Sequence, residues 1–142
     1  MIGDSEPGNY ESQSMEKRII KSFEDLECWK AARELGEFVF TKVLPILPKD
    51  EKYRLADQML RAARSITANI AEGYGRFHYL DSSKFLSNAR GSLYELLDHL
   101  ITAEAEKLIP TELLQDGREL VDRAVRLLNG YLRYLKGKAS GL

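Results

Sequence analysis

A row of polar side chains runs along one predicted helix in the middle of the chain. Its members are three or four residues apart, so they share one face of an α-helix. They combine guanidinium, amide, hydroxyl and carboxylate groups, which suits hydrogen bonding to a ligand or to a neighbouring helix. This row, the polar ridge, consists of Arg54, Gln58, Arg61, Ser65, Asn69, Glu72 and Arg76.

Two members of the polar ridge are unfavourable inside a helix unless their side chains form specific hydrogen bonds or ion pairs. Asn69 is a poor residue for a helix interior, and the carboxylate of Glu72 is costly to bury unless it is paired. Ser92 and Glu95 belong to a second polar row on the next predicted helix. One interpretation is a structural network whose Arg–Glu and Asn–Ser hydrogen bonds join two helices or two subunits. The other is a groove for a ligand or a nucleic-acid backbone, formed by Arg61, Arg64, Arg76 and Arg90.

The residue types that enzymes commonly use do not form a recognisable catalytic set. His78 and His99 are the only histidines and Cys28 is the only cysteine, so the chain offers no zinc ligands at a usual spacing. A di-iron bundle needs a Glu-x-x-His pair on two helices, and neither Glu72 nor Glu95 is followed by histidine at that spacing. The sequence therefore predicts no enzyme, no metal site and no cofactor.

Aromatic residues gather where the helix with the polar ridge is expected to end. Tyr74, Phe77, His78 and Tyr79 lie close to Arg76 along the chain. An aromatic and basic cluster of this kind can stack on unpaired bases. It can equally close the end of a helical bundle. The sequence leaves both interpretations open.

Four stretches have the apolar periodicity of α-helices, and no alternating strand pattern of useful length occurs. Helix 1 is predicted over about 24–44. The residues predicted to set the boundaries are Ser22 with Asp25 before helix 1, Pro45 and Pro48 after it, Asp50 before helix 2, Gly73 and Gly75 after it, Asp81 or Ser82 before helix 3, and Pro110 with Thr111 before helix 4.

The connections between these long helices are short, which favours antiparallel neighbours. The sequence therefore predicts an all-α fold, an up-down-up-down four-helix bundle over residues 22–138. Residues 1–21 are polar and contain glycine and proline, which predicts a disordered tail. Residues 139–142 are predicted to form a frayed C-terminus.

The predicted helices are apolar on more than one face. A four-helix core uses one stripe of each helix, and a second stripe needs another partner. A homo-oligomer is the economical explanation, although a wide monomer core remains an alternative. The candidate interface residues are Trp29, Phe40, Tyr53, Leu60 and Tyr74.

Composition limits the class of protein. The 142 residues fit one domain, and the single cysteine rules out an internal disulfide bond. The sequence does not start with the basic and apolar pattern of a signal peptide, and it has no apolar segment long enough to span a bilayer. We therefore expect a cytoplasmic protein with no membrane partner. The net charge is −1, but residues 52–90 have four excess positive charges and residues 91–117 have five excess negative charges. This alternation indicates charge complementarity between helices or subunits, or a local basic face for nucleic acid.

Several short motifs are spread along the predicted bundle. They are Phe23-Glu24-Asp25-Leu26, Trp29, Gln58, Arg61-Ala62-Ala63, Ser65-Ile66, Asn69-Ile70-Ala71-Glu72-Gly73, Phe85-Leu86 and Ala89-Arg90-Gly91-Ser92-Leu93-Tyr94-Glu95-Leu96. Together they resemble the four-helix bundle family of proteins encoded in 23S ribosomal RNA intervening sequences. The resemblance covers about residues 22–136.

The resemblance implies a left-handed antiparallel bundle that assembles as a ring-shaped homopentamer, in a genomic setting that suggests RNA. The accessory variability determinant of diversity-generating retroelements is similar in fold and assembly, binds nucleic acid and partners a reverse transcriptase. Since the net charge here is −1, only a local basic patch on helices 2 and 4 is expected to contact nucleic acid.

These expectations lead to two hypotheses. The first is a non-enzymatic, homo-oligomeric bundle that acts as a binding or scaffold module for RNA or a ribonucleoprotein. The second is a protein–protein adaptor, such as an accessory subunit of a reverse transcriptase, that touches nucleic acid only through its partner. The candidate binding residues are Arg54, Arg61, Arg64, Arg76, Arg90, Arg126 and Arg133, and the candidate polar network is Gln58, Ser65, Asn69, Glu72, Ser92 and Glu95.

Overall fold

Four long helices make up most of the computed structural model, which describes residues 19–141. They are α1 (Glu27–Phe38), α2 (Leu55–Tyr74), α3 (Tyr79–Ala105) and α4 (Thr111–Ala139). No residue in this part of the chain belongs to a strand. The all-α, four-helix prediction is therefore confirmed. Most of the predicted tail over residues 1–21, and the last residue of the predicted frayed end, lie outside the described residues.

Each helix packs against two others around a shared apolar core. α2 and α4 both pack against α1 and against α3, so α2 and α4 occupy opposite corners of the assembly. Every helix contributes fully buried side chains, for example Leu35, Met59, Leu93 and Leu128. Burial of such side chains is the main favourable contribution to folding. Among the described residues, none of the helices is both long enough and apolar enough to cross a bilayer.

The start of α1 differs from the sequence prediction. Ser22 and Asp25 do form a capping box, but it closes a 3-10 turn, Phe23–Asp25, and not α1 itself. Leu26 then adopts extended backbone angles and is almost fully buried. Because the Leu26 side chain reaches the core through this extended conformation, the turn does not continue into the α-helix, which begins at Glu27.

The end of α1 is also irregular. The α-helical pattern stops at Phe38 and continues as a π-helical turn, Val39–Val43, followed by a 3-10 turn, Leu44–Ile46. Val39 and Val43 are both fully buried. The two residues are four positions apart, so the π turn, like an α-helical turn, keeps both side chains on the core face. Pro45 lies in the 3-10 turn, where its missing N–H is tolerated.

The predicted cap of α2 is wrong. Asp50 lies in a separate 3-10 turn, Lys49–Glu51, and α2 begins only at Leu55. The carboxylate of Glu51 instead accepts a hydrogen bond from the Leu55 N–H at 3.3 Å. Glu51 therefore satisfies one of the N–H groups that a helix start leaves unpaired.

The close approach of α2 and α3 explains the glycine near the end of α2. A Cβ atom on Gly73 would lie 3.0 Å from Leu86 Cδ2 and 3.1 Å from the Ser82 carbonyl oxygen. Gly73 thus lets the two helices meet, and it lies inside α2, not at its exit. Gly75 follows the helix with right-handed backbone angles.

α3 begins at Tyr79, before the predicted start at Asp81 or Ser82. Ser82 is buried, and its hydroxyl donates to the Arg76 carbonyl at 3.4 Å, so it does not act as an N-cap. α4 begins at Thr111 directly after Pro110, as predicted.

Candidate functional site

The centre of the polar ridge joins α2 to α3. Ser65 Oγ and Ser92 Oγ are 2.8 Å apart, and the Asn69 side-chain amide donates to Ser65 Oγ at 3.0 Å and to the Ser65 carbonyl at 2.9 Å. All three side chains are half-buried. Asn69 is therefore satisfied by the turn before it, and Ser65 links it to the neighbouring helix.

The other residues of the candidate network do not join this Ser–Asn cluster. Glu72 pairs with Arg76 one turn along α2 at 2.9 Å, and its side chain is about half exposed. On α3, a carboxylate oxygen of Glu95 lies 3.4 Å from His99 Nε2, at hydrogen-bond distance. Gln58 is exposed. The polar ridge thus consists of a half-buried serine and asparagine centre with solvent-exposed ends.

The seven candidate arginines are all exposed, but they do not form one surface. Arg61 pairs with Asp57 at 3.0 Å, and Arg76 pairs with Glu72. Within the described part of the chain, no carboxylate pairs with the remaining five, Arg54, Arg64, Arg90, Arg126 and Arg133. α2 and α4 lie at opposite corners and do not pack side by side, so their candidate arginines form no continuous surface, and a local basic patch from these helices stays a prediction.

Charge complementarity between the helices of one chain is limited. Between residues 19 and 141, one ion pair joins two helices, Arg123 with Glu34 at 3.3 Å. The other ion pairs of that segment link residues one turn apart on the same helix. The unpaired arginine charges therefore face solvent.

A groove of about 280 Å³ lies between α1 and α2, and we call it the α1–α2 groove. Phe40, Leu60 and Ala63 give it an apolar floor, and Arg33, Glu37 and Arg64 lie around it. Phe40 is 62% exposed, which is unusual for a phenylalanine on a helix of a small protein. Two of the five candidate interface residues, Phe40 and Leu60, therefore lie together.

The other three candidate interface residues are placed differently. Tyr53 is almost fully exposed just before α2. Trp29 packs edge-to-face on Phe23, with ring centroids 5.4 Å apart, and both it and Tyr74 are half-buried against the core. Much of the apolar surface of Trp29 and Tyr74 is thus already covered within the chain.

A second cavity, of about 250 Å³, lies where α2 ends and α3 begins, next to the last turns of α4. The residues that line this end pocket include four aromatic side chains and two positively charged ones, which are Tyr74, Phe77, Tyr79, Tyr131, Arg76 and Lys138. Phe77 is 94% exposed, whereas Tyr131 is 3% exposed. Burial raises the pKa of Tyr131, so its hydroxyl stays protonated.

Sequence reasoning missed two residues of the end pocket. Neither Tyr131 nor Lys138 is among the candidate site residues predicted from the sequence. The available signal was the hydroxyl of Tyr131 at a core-facing position, because a buried tyrosine hydroxyl needs a hydrogen-bond partner. That signal could not show which other helix ends meet Tyr131.

The described residues offer no evident metal site. Between residues 19 and 141, no group of three His, Cys, Asp or Glu side chains could hold a metal ion. Cys28 is buried.

Comparison with known proteins identifies a family. The family model described as 23S rRNA-intervening sequence protein matches residues 24–130, from the turn before α1 to the later part of α4. A search of curated proteins gives no match. The matched segment spans most of the chain and contains the Ser65–Ser92 contact and Gly73. The chain belongs to the 23S rRNA-intervening sequence protein family.

Proposed function

We propose that this protein is a non-enzymatic, homo-oligomeric scaffold that binds RNA or a ribonucleoprotein. The observation on which the proposal rests is the set of five exposed arginines without a carboxylate partner among the described residues. Exposed guanidinium groups are the usual phosphate contacts of RNA-binding proteins. The family description, which refers to 23S rRNA, supports the same class of partner. Cys28 as the single, buried cysteine is compatible with a cytoplasmic location.

We infer an antiparallel, up-down-up-down arrangement for the scaffold. Residue pairs in contact between α2 and α3 support it, because Ser65 meets Ser92 whereas Gly73, later in α2, meets Leu86, earlier in α3. α1 and α4 behave alike: Glu34 contacts Arg123, and the later Phe38 lies beside the earlier Gly117. We take the superhelical twist to be left-handed, as is common in such bundles.

We further propose that the α1–α2 groove is covered by another subunit of a ring-shaped homopentamer. Phe40 at 62% exposure supports this, since burying an aromatic ring is strongly favourable. In a ring the groove would meet a different surface of the next subunit, because head-to-tail contacts close into a ring when the rotation between subunits closes.

RNA binding is tested by fluorescence anisotropy with a labelled RNA at several salt concentrations. If the protein contacts phosphates, the logarithm of the association constant should fall linearly with the logarithm of the salt concentration. The steepness of this line, the salt slope, should be about 0.7 for each phosphate neutralised on a single strand. The double variant Arg126→Gln with Arg133→Gln should lower that slope. Arg123→Gln is the matched control, because Arg123 lies on the same helix but already pairs with Glu34.

Lack of RNA binding at low salt would reject the first proposal and favour the second candidate, a protein–protein adaptor such as a reverse-transcriptase accessory subunit. Tyr94 and Ile101 favour this candidate, since both are exposed large apolar residues about two turns apart on α3. Such apolar side chains on one helix face are typical of protein docking sites. A reverse-transcriptase gene next to the gene for this protein would support it further.

A further inference from the structure

The end pocket contains a buried hydroxyl that has no hydrogen-bond partner among residues 19–141. Tyr131 lines the pocket and is 3% exposed, yet no described residue forms a hydrogen bond with its hydroxyl. Buried polar groups in folded proteins are nearly always hydrogen-bonded, and leaving one unpaired is unfavourable. A ligand group in the pocket that accepts or donates a hydrogen bond would remove this cost.

Four of the nine residues that line the end pocket are aromatic. Tyr74 and Tyr79 line it together with Tyr131. Phe77 lies at the mouth and is 94% exposed, so it does not close the end of the bundle by packing against the core. Rings arranged in this way bind a flat, unsaturated ligand by stacking, and every nucleobase offers such a face.

The charges at the end pocket favour an anion. Arg76 and Lys138 line it, and no acidic residue does. The Arg76 guanidinium is held 4.5 Å from the centre of the Phe85 ring and 2.9 Å from Glu72, so its position is fixed. α3 starts beside the pocket, and no side chain caps its N-terminus. The free N–H groups of that first turn and the helix dipole add positive potential near Tyr79, which the carboxylate of Asp81 in the same turn partly offsets.

We propose that the end pocket holds one unpaired nucleotide of a bound RNA, with the base against the rings and the Tyr131 hydroxyl and the phosphate near Arg76 and Lys138. This inference rests on the RNA-binding function proposed above and names the place where a single strand is held. The volume of about 250 Å³ is below the range of pockets that hold drug-sized molecules, which favours a single nucleotide over a base pair.

The test compares binding of a short uridine oligomer and of a blunt RNA duplex to the full chain. Tyr131→Phe removes only the hydroxyl. Since the hydroxyl is unpaired without ligand, the melting temperature should stay equal or rise, while affinity for the oligomer falls by about threefold to tenfold. Phe77→Ala should lower that affinity by about tenfold, because a stacking ring is lost. Lys138→Gln should reduce the salt slope by about 0.7.

Matched controls make the same changes outside the pocket. Tyr53→Phe removes an exposed hydroxyl at the other end of α2, Leu80→Ala removes an exposed apolar side chain near the mouth, and Lys136→Gln removes a charge on α4. Each control should keep the parent affinity. The parent chain should prefer the single strand over the duplex, and Tyr131→Phe and Phe77→Ala should reduce that preference.

Two negative results have different meanings. If the parent chain binds the oligomer and the three pocket variants bind it equally well, the end pocket is not a nucleotide site, and the proposed RNA-binding function stands. If the parent chain binds neither RNA at low salt, the proposed function is wrong and this inference falls with it. Circular dichroism melts of every variant show that weaker binding does not reflect unfolding.

Discussion

Ser65 Oγ and Ser92 Oγ lie 2.8 Å apart and form the polar contact between α2 and α3. The two residues are 27 positions apart in the chain, and Asn69 donates to Ser65 from the next turn of α2. This contact fixes the register of the two helices, because a shift of either helix by one residue would separate the hydroxyl groups and leave the half-buried Ser92 hydroxyl without its partner.

The Ser65–Ser92 contact should be measurable by a double-mutant cycle. Ser65→Ala and Ser92→Ala should each lower the free energy of unfolding by about 0.5–1.5 kcal/mol, and the double variant should cost less than the sum of the two. Urea denaturation gives these values. Ser87→Ala, an exposed serine on α3, is the control and should change little. Additive losses would mean that the two hydroxyls do not interact in solution.

Gly73→Ala should destabilise the protein even though alanine is the better helix former. The new Cβ would lie 3.0 Å from the fully buried Leu86 side chain and 3.1 Å from a backbone oxygen. Overpacking of this kind costs about 1–3 kcal/mol, which exceeds the gain of about 1 kcal/mol in helix propensity. Thermal and urea denaturation measure the change.

Gly91→Ala is the matched control for Gly73→Ala. Gly91 also lies inside a helix, but nothing is within 4 Å of its added Cβ. This variant should therefore be more stable than the parent by about 0.5–1 kcal/mol. Equal effects at the two glycines would show that α2 and α3 are not closely packed at Gly73.

Glu72→Ala should have a small effect on stability. A buried network would have made this change cost about 2–4 kcal/mol. The Glu72 side chain is instead about half exposed and pairs with Arg76 one turn away. Exposed pairs at this spacing contribute about 0.3–0.5 kcal/mol, and the loss should disappear at high salt. A large loss of stability would indicate that assembly buries Glu72.

Phe40→Asp should break the proposed oligomer without unfolding the chain. Phe40 is 62% exposed in the single chain, so its replacement removes few contacts within the subunit. A carboxylate at a buried interface is unfavourable. Size-exclusion chromatography with light scattering should give the mass of five chains for the parent and a lower mass for the variant.

Phe77→Asp is the control for Phe40→Asp, because Phe77 is also exposed but lies at the end pocket. It should assemble like the parent. A parent protein that sediments as a monomer at micromolar concentration would reject the oligomer altogether. If both variants keep the mass of the parent, the α1–α2 groove is not the interface.

Asp25 should make stability depend on pH in the acid range. Its carboxylate accepts hydrogen bonds from the N–H groups of Lys21 at 2.8 Å and Ser22 at 3.2 Å, and these lower its pKa below 3.8. A lowered pKa in the folded state means that the stabilisation is present above the unfolded value and is lost as the pH falls through the folded value.

The melting temperature of Asp25→Asn should therefore be below that of the parent near neutral pH, and the gap should close as the pH falls below 3.8. Melts across this range measure the gap. Asp50→Asn is the control, since Asp50 caps no helix in the structure. A gap that persists unchanged at low pH would show that Asp25 does not act through its charge.

The sequence predicts the number and order of the helices well, because apolar periodicity and proline positions are local signals. The start of α4 after Pro110 is a clear case. Asp50 shows where local signals fail: aspartate is a good N-cap wherever a helix starts, but only the packing of Leu55 into the core decides that α2 starts later. Glu51, with no special motif, then becomes the residue that caps it.

The candidate sites were less predictable than the fold. The polar ridge follows from spacing within one helix, yet which of its members are buried depends on how α3 is placed against α2. Ser65 and Asn69 face that contact, and Glu72 does not. The end pocket depends on three helix ends that are far apart in the chain, so Tyr131 and Lys138 could not be linked to Phe77 before the fold was known.

The π-helical turn at Val39–Val43 also has a consequence for how the gene can change. A π turn holds one residue more than an α-helical turn, so α1 can lose or gain a residue there by exchanging hydrogen-bonding patterns while Val39 and Val43 keep facing inward. α2 and α3 cannot change length in this way, because the Ser65–Ser92 and Gly73–Leu86 contacts fix their register at two positions along the helices. Length variation among related chains should therefore collect at the end of α1 and spare the α2–α3 pair.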